Sequence, residues 1–296
     1  MANQQYFEIA ILLAENNRFL PPVTKEKETF FESATYTRIL SWRELHDCFK
    51  QIAIDSEVRA VVISGNGKVF TAGIDLNQLF STSNDNEGKD SPRSSFYIRK
   101  SMIVLQESIS SLELCDKPVI AAIHNGCIGA GVDLITACDI RYCSQDAFFS
   151  VKEIDLGLAA DIGKKDNSGT LQRFPKVVGN NSLVRELCLT GRNFSSTEAL
   201  DIGLVNKIFQ TKEETLTEAL KTARIIASKS PIASLSTKHL LNFSRDHSIT
   251  EGLTYTAAWN GAMLTKSEVG KRNKYIDLME AFNATMEKRK PKFSKL

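Results

Sequence analysis

Apolar and polar residues change period along this chain, and each change predicts an element. Residues 6–14, Tyr-Phe-Glu-Ile-Ala-Ile-Leu-Leu-Ala, are dense enough in apolar side chains for an opening strand. The stretch that follows, with Pro21-Pro22 and mixed lysines and glutamates, defines no element. From Ser41 onward, Trp42, Leu45, Phe49 and Ile52 recur at three- and four-residue spacing, which predicts a helix with one buried face. Ala60-Val61-Val62-Ile63 is then a continuous apolar run, the mark of a strand covered on both sides, and Gly65-Asn66-Gly67 closes it.

Residues 81–95 contain no apolar side chain and predict a solvated loop. A helix over 96–112, a strand over 118–123, a helix from about Ala130 to Cys138, and strands over 140–143 and 147–151 come next. Beyond Leu183 the pattern is mostly helical, with a capping-box signature from Ser195 to Glu198. Strands alternating with helices predict an α/β fold. There is no internal repeat. The division expected is a catalytic body over 1–230 and a helical module over 231–296.

Composition narrows the partners. With 296 residues the chain can bury a core without disulfide or metal staples. Its 37 basic and 35 acidic residues leave a net charge of +2, too small a field to argue for nucleic acid. The six cysteines include no Cys-x-x-Cys pair and read as reduced core residues. The longest apolar stretch, Pro118 to Ala137, is broken by His124, Asn125 and Asp133, so no membrane span is expected. No secretory signal is expected at the N-terminus either. Ser294-Lys295-Leu296 is the tripeptide read by the peroxisomal import receptor, so the peroxisome is the location expected, with mitochondrion or cytosol as the alternatives.

Common catalytic templates are missing: there is no P-loop, no His-Glu-x-x-His, no Gly-x-Ser-x-Gly and no zinc-type Cys/His spacing. Two other segments share one logic, a strand running into a small-residue turn and then a helix. They are Val69-Phe70-Thr71-Ala72-Gly73-Ile74-Asp75-Leu76 and Ile123-His124-Asn125-Gly126-Cys127-Ile128-Gly129-Ala130-Gly131-Val132-Asp133. Small residues let a ligand approach the backbone, and a helix start presents unpaired N–H groups. Either segment alone is a tight turn and nothing more. Facing each other, they would form a two-donor oxyanion hole.

The pair of turns, followed by Val151-Lys152-Glu153 and Ala160-Asp161, resembles the crotonase (enoyl-CoA hydratase/isomerase) superfamily. Within it, the chain is most similar to the members that isomerise dienoyl-CoA thioesters. The resemblance spans roughly residues 41 to 265 plus the last few, and the combination Asp133, Glu153 and Asp161 is its most specific part. It implies an α/β fold of the crotonase type, a ββα spiral, with a C-terminal helical module that builds homotrimers or hexamers. It also implies an acyl-CoA substrate, with coenzyme A arriving as part of that substrate and no separate cofactor or metal.

The activity implied is conversion of 3,5-dienoyl-CoA to 2,4-dienoyl-CoA through a dienolate, in the breakdown of unsaturated fatty acids. By the same resemblance the backbone N–H groups of Ala72 and Ala130 hold the thioester oxygen. Ala72, Gly73, Ile74, Asp75, Leu76 and Gly129 line the substrate. Glu153 takes the C2 proton, Asp161 delivers one to C6, and Asp133 orients or tunes Glu153. Carboxylates gathered in an apolar pocket suit proton transfer in both directions. Hydratases of the superfamily carry two glutamates to position water, whereas here the first acidic position is Asp133 and a third acid is added. That favours an isomerase. A monoenoyl-CoA isomerase or a hydratase is the alternative enzyme, and a non-catalytic binding protein the alternative of another class.

The chain departs from the family pattern in two places. Asn16 to Pro22 replaces a loop that helps grip coenzyme A in relatives, and Lys164-Lys165-Asp166-Asn167-Ser168-Gly169 is an extra hexapeptide before Thr170. The insert is strongly polar, which predicts that it bulges outward and leaves Asp161 in place.

Overall fold

The structure, a computed structural model, describes residues 7–13, 34–39, 42–73, 90–160, 169–263 and 276–296. In chain order its elements are β1 (Phe7–Leu13), β2 (Ala34–Ile39), α1 (Trp42–Ile54), β3 (Val58–Gly65), α2 (Ser91–Leu114), β4 (Val119–Ile123), β5 (Gly126–Ile128) and α3 (Ala130–Thr136). There follow β6 (Ile140–Ser144), β7 (Phe148–Ser150), a 3₁₀ turn over Lys152–Leu156, α4 (Thr170–Val178), α5 (Asn181–Thr190), β8 (Phe194–Ser195), α6 (Ser196–Asp201) and β9 (Lys207–Phe209). Helices α7 (Lys212–Ala227), α8 (Pro231–Arg245), α9 (Ile249–Met263) and α10 (Ile276–Met286) complete the series.

Among the described residues the strands form two sheets. The larger has the order β2-β1-β3-β4-β6-β9 and the smaller β5-β7-β8. Strand β1 runs antiparallel to both β2 and β3, while β3, β4, β6 and β9 are parallel. All residues of β3 and β4 are buried, because each face of the large sheet is covered. Val61, Ile63, Val119, Ala121 and Ile123 point into one core with Leu45, Phe49 and Ile52 of α1 and Ile109 and Leu112 of α2. Their neighbours Ala60, Val62, Ile120 and Ala122 point the other way, onto Ala219, Leu220 and Ala223 of α7. The alternation is the two-residue period of a strand, applied to two central strands with no wet face.

Buried charges fasten the layers. The Lys238 ammonium of α8 donates to the carbonyls of Leu112 (2.9 Å) and Lys117 (3.0 Å) and pairs with Asp139 at 2.9 Å. Asp139 also accepts from the Val119 amide at 2.7 Å, a structural role that its position after α3 suggests. Arg141 donates to the carbonyls of Ile135, Cys138 and Leu204, closing the end of α3. All six cysteines are free; five are buried and Cys188 is partly exposed. Burial pushes the Cys138 and Cys143 thiols up to about 12, so both stay protonated.

The expected α/β class holds, with three differences in detail. Helix α2 starts at Ser91, not near residue 96, so the last residues of the polar run are helical; its residues 81–89 lie outside the described residues. Asp90 caps that helix, accepting from the Arg93 amide at 2.9 Å, and Pro92 fits its first turn. Strand β2 occupies part of the stretch that defined no element. Short strands β8 and β9 interrupt the region that reads as helical. The boundary expected at residue 231 falls at the first residue of α8, capped by Ser230.

Candidate active site

The two small-residue turns meet. The Thr71 amide donates to the Gly126 carbonyl at 3.0 Å, and the Ile128 amide to the Thr71 carbonyl at 3.2 Å, so Thr71 pairs with Cys127 as a one-residue extension of the small sheet. A side-chain carbon on Gly73 would lie 3.0 Å from the Ile128 carbonyl oxygen and 3.9 Å from the Gly129 Cα. Gly131 is excluded from any larger residue because its Cβ would stand 2.3 Å from the Thr71 methyl. The first turn of α3 therefore packs directly on the first small-residue turn.

Gly129 is needed twice over. Its φ of 56° is a conformation L side chains rarely adopt, and a Cβ there would lie 2.9 Å from Glu153 Oε1. Its amide donates to the Ser150 carbonyl at 2.9 Å and its carbonyl accepts from Val132 at 2.7 Å, which fixes the entry to α3. The amides of Ala72 and Ala130, next along from Thr71 and Gly129, donate to no other group among the described residues. An oxyanion hole requires two such donors.

Glu153 sits on the 3₁₀ turn after β7 and is buried. Its turn is pinned from behind. Ser150 Oγ and Lys152 Nζ both donate to the Gly191 carbonyl, at 2.9 and 2.7 Å, and a Cβ on Gly191 would meet the Ile154 side chain at 2.8 Å. Asp155 on the same turn pairs with Lys152 at 2.9 Å on the surface. Asp133 lies one helical turn beyond Gly129 on α3, fully buried, and its Oδ1 accepts from the Thr170 hydroxyl at the start of α4.

The structure thus brings Gly73, Gly129 and Glu153 together, with Ala72 and Ala130 adjacent and Asp133 one turn on. Ile74, Asp75, Leu76 and Asp161 lie outside the described residues, as do residues 164–168 of the insert and the Asn16 to Pro22 segment. Thr170 was not among the expected site residues. Its only sequence signal is a hydroxyl at a helix start after Gly169, which any helix could show. Among the described residues no group of three or more His, Cys, Asp or Glu side chains gathers as a metal would need, and no helix is long and apolar enough to cross a membrane.

A fixed pair of backbone donors beside buried carboxylates can stabilise an oxyanion while moving protons at carbon. Known proteins resemble this chain in sequence and fold. The family profile described as Enoyl-CoA hydratase/isomerase matches residues 40–295. The human mitochondrial protein named Delta(3,5)-Delta(2,4)-dienoyl-CoA isomerase is 52% identical over 258 residues, covering 86% of this chain and 74% of its own. The Arabidopsis thaliana protein of the same name, designated peroxisomal, is 49% identical over 241 residues, 81% of each chain. Among solved structures, an enoyl-CoA hydratase from Polaromonas superposes with a TM-score of 0.70 at 26% identity, covering 86% of this chain and 89% of that one.

Proposed function

The chain belongs to the enoyl-CoA hydratase/isomerase family, and on that premise we propose that it is a Δ3,5-Δ2,4-dienoyl-CoA isomerase of unsaturated fatty acid oxidation. The observation that carries the reading is the meeting of the two turns at Gly73 and Gly129, with the Glu153 carboxylate against Gly129. The identity of about half the residues with proteins of that name supports the same activity.

The reaction needs a proton removed at C2 of the acyl thioester, and the electrons then spread over a dienolate whose charge rests on the thioester oxygen. The Ala72 and Ala130 amides receive that oxygen. Donors fixed in a water-excluded site contribute about 3 to 4 kcal/mol each to such a transition state. Glu153 takes the C2 proton, Asp161 returns one at C6, and Asp133 orients Glu153. Ala72, Gly73, Ile74, Asp75, Leu76 and Gly129 line the thioester end of the substrate. Coenzyme A enters as part of that substrate, and the chemistry asks for no metal or redox cofactor.

The helical module over 231–296 assembles homotrimers or hexamers. The enzyme works in the peroxisome, to which Ser294, Lys295 and Leu296 address it through the import receptor; relatives carry mitochondrial as well as peroxisomal designations. A fluorescent fusion ending in residues 285–296 should accumulate in peroxisomes, and mitochondrial or cytosolic signal would overturn that placement.

The decisive assay mixes purified protein with a 3,5-dienoyl-CoA and follows the ultraviolet band of the conjugated 2,4-dienoyl thioester. No conversion, alongside turnover of a monoenoyl-CoA, would transfer the chain to the other enzymes of its family. Undiminished conversion by Glu153→Gln and Asp161→Asn would overturn the residue roles while leaving the activity.

A further inference from the structure

Thr170 is the first residue of α4 and has no solvent exposure. Its hydroxyl donates to Asp133 Oδ1, across 37 positions of sequence. The helix that carries it is held at this end by an unusually direct contact. Gly169, its N-cap, has a φ of 95°, and a Cβ there would fall 2.2 Å from the Arg173 guanidinium. That guanidinium, lying over Gly169, donates from Nε to Glu113 at 2.8 Å and from NH2 to Ser110 at 2.9 Å, both on α2. The Arg173 amide closes the same turn on the Gly169 carbonyl at 2.8 Å. Backbone and side chain of one arginine therefore fix the turn that presents Thr170.

We infer that Thr170 is a positioning residue, whose hydroxyl sets the Asp133 carboxylate that orients Glu153. The inference rests on the reading that Asp133 belongs to the proton-transfer machinery. A threonine hydroxyl has one proton to donate, and spending it on a buried carboxylate fixes that oxygen in direction as well as in place. Catalytic groups displaced by about 1 Å lose rate steeply, so a fixed oxygen matters more to turnover than to binding. Thr170 directly follows the inserted hexapeptide in sequence, and its hydroxyl and the glycine-arginine turn fix the start of α4 against Asp133.

The test is a double-substitution cycle read by the dienoyl-CoA absorbance assay, with circular dichroism confirming that each variant is folded in the assay buffer. Thr170→Val keeps the volume and removes the donor. Its kcat is expected to fall about 10- to 100-fold, the loss typical of a hydrogen bond to a charged group, with KM within about twofold of the parent. Thr170→Ser restores the hydroxyl and should recover kcat to within about threefold. In an Asp133→Asn background the Thr170→Val change should cost almost nothing further, because both substitutions break the same interaction. Parent-like kcat in Thr170→Val, no recovery in Thr170→Ser, or losses that simply multiply in the double variant would each overturn the inference. Parent-like kcat in Asp133→Asn would instead overturn the role given to Asp133, and the two failures are distinguishable on one plate.

Discussion

The catalytic body and the C-terminal helices treat apolar residues in opposite ways. In the body the strands β3 and β4 bury every residue, and Phe49, Phe70, Phe149 and Phe174 are enclosed. In α9 only Gly252 is buried, while Ile249 is 83% and Leu253 67% exposed. In α10 Phe282 is 60% and Met286 70% exposed, with Ala284 the residue turned inward. The body encloses a large core, although Ile54 and Leu114 stand 78% and 77% exposed on it, whereas α9 and α10 turn inward only Gly252 and Ala284 among their described residues. Exposed apolar side chains of this kind suit a protein interface.

Substitutions on either side of that divide should separate cleanly. The largest loss is expected for Phe174→Ala, because Phe174 stacks at 6.3 Å on Phe194, itself stacked at 5.4 Å on Phe149. Urea unfolding should show about 3 to 5 kcal/mol of destabilisation. Phe282→Ala in dilute, monomeric protein should shift stability by no more than about 0.5 kcal/mol. Equal losses at the two sites would erase the contrast. Next in size is Gly129→Ala, which forces a side chain onto Glu153 Oε1 and strains a φ of 56°. Dienoyl-CoA turnover of the folded fraction should drop about 100-fold or more, and the strained backbone should cost about 1 to 3 kcal/mol of stability. A pure stability loss with parent-like turnover of the folded fraction would deny that the turn is part of the site.

The module is probed by Leu253→Asp combined with Phe282→Asp. Each places a charge in exposed apolar surface, and burying an unpaired charge on assembly costs several kcal/mol. Sedimentation velocity should then report a species near the 32.9 kDa of one chain, with far-UV circular dichroism unchanged. A parent-like oligomer would move the interface away from these helices.

What could be read in the sequence follows the range of the forces involved. The strands β3 and β4 announce themselves because burial on two faces writes a continuous apolar run. Helix α1 does so because Leu45, Phe49 and Ile52 keep one face. Strand β2, Ala-Thr-Tyr-Thr-Arg-Ile, follows a charged stretch and is defined by its register against β1, a pairing that no local pattern carries. The start of α2 escapes because a run without apolar residues reads as loop, although Asp90 and Pro92 are start signals in themselves. The same division holds in the site. Gly129, Glu153 and Asp133 are legible through a family resemblance, and the fold supplies the reason for the glycine. The Thr170 to Asp133 hydrogen bond and the Arg173 to Glu113 pair, 60 positions apart, exist only because α2, α3 and α4 converge.

A small, pH-dependent effect is expected on the surface where body and module touch. Asp246, just past the end of α8, accepts from Lys176 of α4 and from Arg245, and these partners hold its carboxyl down to about 2 from an ordinary 3.8. A depressed carboxylate stabilises the fold above its unfolded value, and that contribution drains away as the pH falls from about 3.8 through about 2. The side chains of Asp246 and Lys176 are 42% and 45% exposed, so water and salt screen the pair. Asp246→Asn should therefore cost less than about 1 kcal/mol at pH 7, with the difference from the parent shrinking on acidification and in about 1 M salt. The deeper tie between α8 and the body is the buried Lys238, which reaches two carbonyls and Asp139 without crossing solvent. If Asp246→Asn cost as much as Gly129→Ala, independent of pH and salt, the rim rather than Lys238 would be holding module to body.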